Sequence, residues 1–187
     1  GTLTSGYTEG SNPYIYYELT PGTDADSFEI GFTSSAVSSF DDVTPLTSET
    51  QSMTVADGTF KGVLNSVYVY WQIASNKDTT ITLTATAMKD KNNPDAEDYL
   101  DVTLSTTAGT TTSTRGEDGT VIASAVTDVE NSKENTGVQT ILPYTASTFK
   151  NQCAGSQLVK LETSDFYGKD GTITYQGTLT VSIATQS

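Results

Sequence analysis

The segment "VYVYWQIA", residues 67–74, alternates strictly between two kinds of side chain. One face is apolar and consists of Val67, Val69, Trp71 and Ile73, and the other face consists of Tyr68, Tyr70 and Gln72. Successive side chains of a β-strand point to opposite faces of a sheet, so this period of two predicts a half-buried strand. Trp71 lies on the apolar face and is predicted to belong to the core.

The same alternation recurs on both sides of this segment. It is found in "PYIYYELT" (13–20), "SFEIGF" (27–32) and "TTITLTATAM" (79–88). Asp-Gly pairs, which suit the tight turns of hairpins, precede alternating runs at residues 57–58, 118–119 and 170–171. We therefore predict an all-β fold, an immunoglobulin-like antiparallel β-sandwich of about nine or ten strands.

Few segments of the sequence favour anything other than strands. Residues 145–154 could form one or two helical turns, and residues 105–119 and 126–135 are predicted to be polar loops. Nothing resembles a linker between two domains. The 187 residues are therefore predicted to form a single domain over 13–187, preceded by an N-terminal extension over 1–12.

Composition excludes several classes of partner. The chain has 23 acidic and 9 basic residues, a formal charge of −14, and such a surface repels nucleic acid. No apolar run approaches the ~20 residues of a membrane helix, so we expect no membrane insertion of the mature chain. Abundant threonine and serine, with a first residue other than Met, favour a secreted protein whose signal peptide has been removed.

The residues needed for common catalytic sites are scarce. The chain contains no histidine, which is the most frequent general base and a frequent metal ligand. Cys153 is the only cysteine, so it has neither a disulfide partner nor a histidine to activate it. We predict a buried structural thiol at Cys153, no catalytic residues, no cofactor and no enzymatic activity.

One acidic loop deserves comparison with calcium sites. Six side chains with oxygen ligands crowd residues 90–101: Asp90, Asn92, Asp95, Glu97, Asp98 and Asp101. Calcium takes six to eight oxygen ligands, but the spacing here does not match an EF-hand. A solvated loop is favoured, no metal site is predicted, and calcium binding is left open.

The tyrosines opposite the apolar face suggest an alternative function. Tyr68 and Tyr70 are predicted to point away from the core, where exposed aromatic rings can stack on sugars or bury against a partner. Cross-strand packing within the sheet would explain the same tyrosines. The alternative is a secreted carbohydrate- or surface-binding module.

The C-terminal segment "YQGTLTVSIATQS", residues 175–187, supplies a resemblance to a known class of protein. An aromatic residue, any residue, a glycine and then alternating apolar residues form one row: Tyr175, Gly177, Leu179, Val181 and Ile183. This strand resembles the last strand of disulfide-free fimbrial pilins of the alternative chaperone–usher type. It is also similar to that of other surface-filament subunits that exchange donor strands.

The resemblance implies a specific mode of assembly. Subunits of this class are immunoglobulin-like sandwiches that lack one strand, and an N-terminal extension of the neighbouring subunit fills the gap by β-strand addition. The C-terminal row would border that groove. The donor candidates are Leu3 and Tyr7, or Ile15, Tyr17 and Leu19. The resemblance thus implies a homopolymer, an extracellular filament subunit with a role in adhesion or biofilm.

Overall fold

The computed structural model describes residues 12–21, 26–47, 50–106, 110–113, 126–130, 136–144 and 152–185. All regular structure in these residues is β-strand, which confirms the predicted all-β class. In chain order the strands are β1 (Ser27–Thr33), β2 (Thr54–Val55), β3 (Gly62–Ala74), β4 (Thr79–Thr86), β5 (Met88–Asp90), β6 (Tyr99–Leu100), β7 (Val102–Thr106), β8 (Thr110–Ser113), β9 (Val126–Glu130), β10 (Thr136–Tyr144), β11 (Gln152–Thr163), β12 (Tyr175–Gln176) and β13 (Leu179–Thr185).

The strands form three antiparallel sheets. The largest has the order β1-β3-β11-β7-β9, with β2 pairing with β3 and β8 pairing with β11. The second has the order β10-β4-β13, and a small third sheet has the order β12-β5-β6. The described residues thus contain thirteen strands rather than nine or ten, because short strands such as β2 and β6 carry too few residues to show alternation.

A single apolar core lies between the two larger sheets. The apolar face of "VYVYWQIA" packs against alternate residues of β4, among them Ile81 and Leu83, and against β7 and β11. Trp71 is fully buried, as its position in the alternation predicts. Because the two sheets share this core face to face, the arrangement is consistent with a β-sandwich.

The two Asp-Gly pairs that lie within the described residues form turns, as predicted. Gly58 has a φ of 71°, and the turn is closed by the Thr59 amide, which donates to the Ala56 carbonyl at 3.0 Å. At the later pair, Asp170 Oδ1 accepts a hydrogen bond from the Thr172 amide at 2.9 Å. The pair at 118–119 lies outside the described residues.

Three secondary-structure predictions are wrong. Residues 110–113 and 126–130 form β8 and β9 instead of loops, and 152–154 begin β11 instead of ending a helical turn. The sequences of β8 and β9 are polar and do not indicate strands. These segments become strands because partners in the sheet supply the backbone hydrogen bonds. Conversely, 13–20 alternates but forms no strand, since no described segment pairs with it.

A candidate groove between two edge strands

Two edge strands lie beside each other at one side of the molecule. Within the described part of the chain, β1 pairs only with β3, and β13 pairs only with β4. β1 and β13 are neighbours in space although they belong to different sheets. Each therefore has an outer edge that no described strand covers, although the Leu46 amide donates to the Phe32 carbonyl of β1 at 2.7 Å.

The apolar side chains along this side are incompletely covered. Three come from β1 (Phe28, Ile30 and Phe32), and three come from β13 (Leu179, Val181 and Ile183). All six pack against the core yet remain partly exposed, whereas Leu83, directly opposite Val181 on β4, is fully buried. The apolar residues of the last strand therefore lie half-covered at the edge of the core, and the half-covered surface formed by these six side chains is called the candidate groove.

The groove deepens into a cavity of about 520 Å³ at the end where β13 begins. Its apolar lining includes Phe32, Leu46, Met53, Met88, Val102 and Leu179. Residues 46–47 and 50–53 contribute to one wall, and residues of β5 and β12 in the small third sheet contribute to another. No local sequence pattern indicates this cavity, because its walls come from segments far apart in the chain.

Gly177 lies at the point where the chain enters β13. A Cβ at this position would lie 3.0 Å from the Thr86 carbonyl oxygen and 3.3 Å from that of Ala87. Only glycine lets the chain approach the end of β4 this closely without displacing backbone. The glycine of the aromatic-x-Gly pattern therefore shapes the floor of the cavity, which it also lines.

Tyr175 anchors the same end of the groove. Its hydroxyl donates a hydrogen bond to Asp98, and Asp98 also accepts one from Lys169 Nζ. Lys169 in turn donates to the Tyr99 carbonyl at 3.1 Å. The pKa of Tyr175 is raised to about 12, mainly by burial of the hydroxyl and secondly by its hydrogen bond to Asp98. The hydrogen bond to Lys169, followed by that to Tyr175, lowers the pKa of Asp98.

This cluster predicts a pH-dependent contribution to stability. The folded state favours ionised Asp98, so the stabilisation is present above the ordinary carboxyl pKa near 4 and is lost as pH falls through the lower folded value. Asp98→Asn should therefore lower the melting temperature at about pH 7 and differ less from wild type at about pH 3. The control is Asp95→Asn, in the same exposed loop, which should leave the melting temperature unchanged at both pH values. An equal Asp98→Asn deficit at both pH values would contradict the prediction.

The N-terminal donor candidates are exposed where the structure describes them. Ile15, Tyr17 and Leu19 have 83%, 92% and 85% of their surface exposed. On the opposite face the rings of Tyr14 and Tyr16 pack edge to face, with centroids 5.3 Å apart. Leu3 and Tyr7, the other donor candidates, lie outside the described residues.

The start of β1 and the cavity lie at opposite ends of the molecule. Residues 12–20 precede β1 in the chain, and the first residue of β1, Ser27, pairs with Ala74 at the end of β3. The cavity lies towards the start of β3, beside Leu64. A segment that leaves one end of the molecule and a cavity that opens at the other suit head-to-tail contact between copies.

The prediction that Tyr70 is available for binding is wrong. Tyr70 does point away from the core, but it is only 1% exposed and its hydroxyl donates to Glu29 Oε1 at 2.9 Å. Residues 34–47 cover this face, and Gln72 Nε2 donates to the Ser39 and Asp41 carbonyls, both at 3.0 Å. Burial, together with Glu29, raises the pKa of Tyr70 to about 12. Tyr68 is partly exposed.

A different aromatic cluster is exposed instead. Phe60 packs edge to face on Phe166 and on Tyr167, with centroids 5.9 Å and 5.1 Å away. The Phe166 amide donates to the Phe60 carbonyl at 2.8 Å, and Tyr167 is 78% exposed. Sequence reasoning missed this cluster because its rings come from two turns separated by about a hundred residues, neither of which alternates.

The remaining candidate residues are those of the acidic loop and Cys153. No cluster of three or more His, Cys, Asp or Glu side chains in the described part of the chain could hold a metal ion. In the acidic loop, Asp90 Oδ1 accepts from the Asn92 amide at 2.9 Å, closing a local turn. Cys153 is buried, as predicted, and burial raises the pKa of its thiol to about 12.

Comparison with known proteins finds no matching family model, no matching curated protein and no matching solved structure. Among the residues that the structure describes, no helix is long and apolar enough to cross a membrane.

Proposed function

We propose that this chain is the repeating subunit of an extracellular filament, assembled by β-strand complementation. Residues 12–20 of one copy fill the groove between β1 and β13 of the next and complete an immunoglobulin-like sandwich. The observation that supports the proposal is that half-covered apolar side chains along two edge strands and an exposed apolar row occur in the same chain. The role is structural, in adhesion or biofilm, without catalysis or a cofactor.

The candidate groove and residues 12–20 match in chemistry and spacing. The side chains of Ile15, Tyr17 and Leu19 recur every second residue, as do the half-buried side chains of β13. A strand laid along β13 would satisfy its outer backbone groups and cover both half-buried rows at once. Burying each of the three apolar side chains contributes about 1.5–3 kcal/mol, and the backbone hydrogen bonds to β13 add to this against the cost of ordering the segment.

Charge favours one direction for the inserted strand. Glu18 is the only charged residue in 12–20, and Lys91 lines the cavity at the Leu179 end of β13. Placing Leu19 beside Leu179 makes the inserted strand antiparallel to β13 and puts Glu18 at the same end of the strand as Lys91. In that register Tyr17 faces Val181 and Ile15 faces Ile183.

The same direction favours a neighbouring copy as the donor. A chain that filled its own groove would lead straight into β1, which begins at the end of the molecule opposite the cavity. Leu19 would then lie near Ile183, parallel to β13, and Glu18 would be far from Lys91. Antiparallel insertion from a neighbour instead links copies head to tail, and such contacts propagate into open filaments.

Engineered disulfides test both the insertion and its direction. Thr180 and Ser182 are exposed on the face of β13 that points away from the core, and Glu18 would take the same face in the inserted strand. In the antiparallel register residue 18 is opposite residue 180, whereas in the parallel one it is opposite residue 182. We expect Glu18→Cys with Thr180→Cys to give a ladder of covalent oligomers on a non-reducing denaturing gel.

The controls separate the possible outcomes. Glu18→Cys alone can form nothing larger than a covalent dimer, and Cys153 is buried and unable to exchange. An intramolecular bond between cysteines at 18 and 182 would show that the chain fills its own groove, which overturns the proposal. Monomers with no cross-link in either pair would also overturn it, and would favour a surface-binding module built on the exposed cluster of Phe60 and Tyr167.

A further inference from the structure

We infer that Met53 and Met88 are sites of oxidative modification through which peroxides control docking in the groove. The inference rests on the proposed function and adds a regulation to it. The chain contains two methionines, and both line the 520 Å³ cavity. The chain has no methionine away from this cavity, so methionine oxidation would act only there.

The two thioethers stand on different walls of the cavity. Met53 precedes β2 and packs against the backbone of Gly62, where its Sδ lies 3.5 Å from the position of an added Cβ. Met88 begins β5 and pairs with Leu100 of β6. Both side chains are only partly buried and pack at the edge of the core, so a small oxidant can reach them through the open groove.

The chemistry needs only a peroxide. A sulfur lone pair attacks one peroxide oxygen, the O–O bond breaks, and a sulfoxide and water (or an alcohol) are formed. Sulfur loses two electrons, the peroxide gains them, and the proton moves to the leaving oxygen. The product places a polar S=O group among the apolar side chains of the cavity, where contact with an inserted Leu19 or Tyr17 would remove it from water at a cost in docking free energy.

The remaining oxidisable side chains near the core are protected. Cys153 is fully buried, and burial raises the pKa of its thiol to about 12, so little reactive thiolate is present at neutral pH. Trp71 is also fully buried. Mild peroxide should therefore act on the two methionines selectively, and an inserted strand that covers the cavity should protect them.

The test compares the full-length chain treated with hydrogen peroxide before and after polymerisation. Treatment before polymerisation should convert Met53 and Met88 to sulfoxides, read by peptide mass, and reduce the polymer yield about tenfold. Treatment afterwards should oxidise both several-fold more slowly. The variant Met53→Leu with Met88→Leu keeps similar volume and should polymerise equally well with and without peroxide.

The following results would contradict the inference. Equal polymer yield from oxidised and untreated wild type overturns it, as does equal peroxide sensitivity in the double leucine variant. A large fall in the melting temperature of the oxidised free chain would make the loss a folding defect and also overturn it. An untreated wild-type chain that forms no polymer overturns the proposed function as well, so the two failures are distinguishable.

Discussion

Replacing Ile15 and Tyr17 together by serine is expected to leave a folded chain that no longer forms filaments. Both side chains are almost fully exposed, so their loss should not change the melting temperature of the free chain. In the filament they would be buried in the groove. Losing two such side chains should weaken docking about a hundredfold or more. Negative-stain imaging and the fraction of sedimenting protein measure the effect.

The control for this variant comes from the same segment. Tyr14 and Tyr16 alternate with the pair just described, are similarly exposed, and pack on each other rather than on the sheets. Replacing both by serine removes as many side chains from neighbouring positions but from the face that points away from the groove. Filaments should persist in this variant. Equal loss in both variants would mean that the alternation does not set which face docks.

Parts of this architecture could be predicted because they follow from local sequence. A period of two determines which side chains of a strand face inwards, so the burial of Trp71 and the inward row of β13 follow directly. Cys153 could be predicted to be a buried structural thiol because the chain offers it neither a disulfide partner nor a histidine to activate it. The turn at Asp57-Gly58 follows from the positive φ that glycine tolerates.

Other parts depend on which segments meet, and no local pattern contains that information. Residues 13–20 have the alternation of a strand, but a strand also needs an edge to pair with, and in the described chain they have none. Tyr70 was predicted to be accessible because nothing near it in sequence indicates that residues 34–47 fold over it. The cavity at Met53 and Met88 likewise arises from the meeting of distant segments.

A substitution at position 181 can distinguish an effect on assembly from an effect on folding. Val181 faces the same side of the second sheet as Leu83, its partner in the register, but Leu83 is fully buried while Val181 remains partly exposed. An aspartate at 83 would place a charge in the closed core and is expected to prevent folding. An aspartate at 181 can direct its carboxylate into the water of the open groove.

Val181→Asp is therefore expected to fold with a free energy of unfolding lower by about 1–3 kcal/mol, and to be absent from filaments. An inserted strand would bury the carboxylate against Tyr17 of the neighbour, a cost that docking could not offset. Ser182→Asp, one residue along, is the matched control. Ser182 points away from the core and shares a hydrogen bond with the Thr82 hydroxyl, so its variant should still polymerise. Normal filaments from Val181→Asp would show that the groove between β1 and β13 is not where copies join.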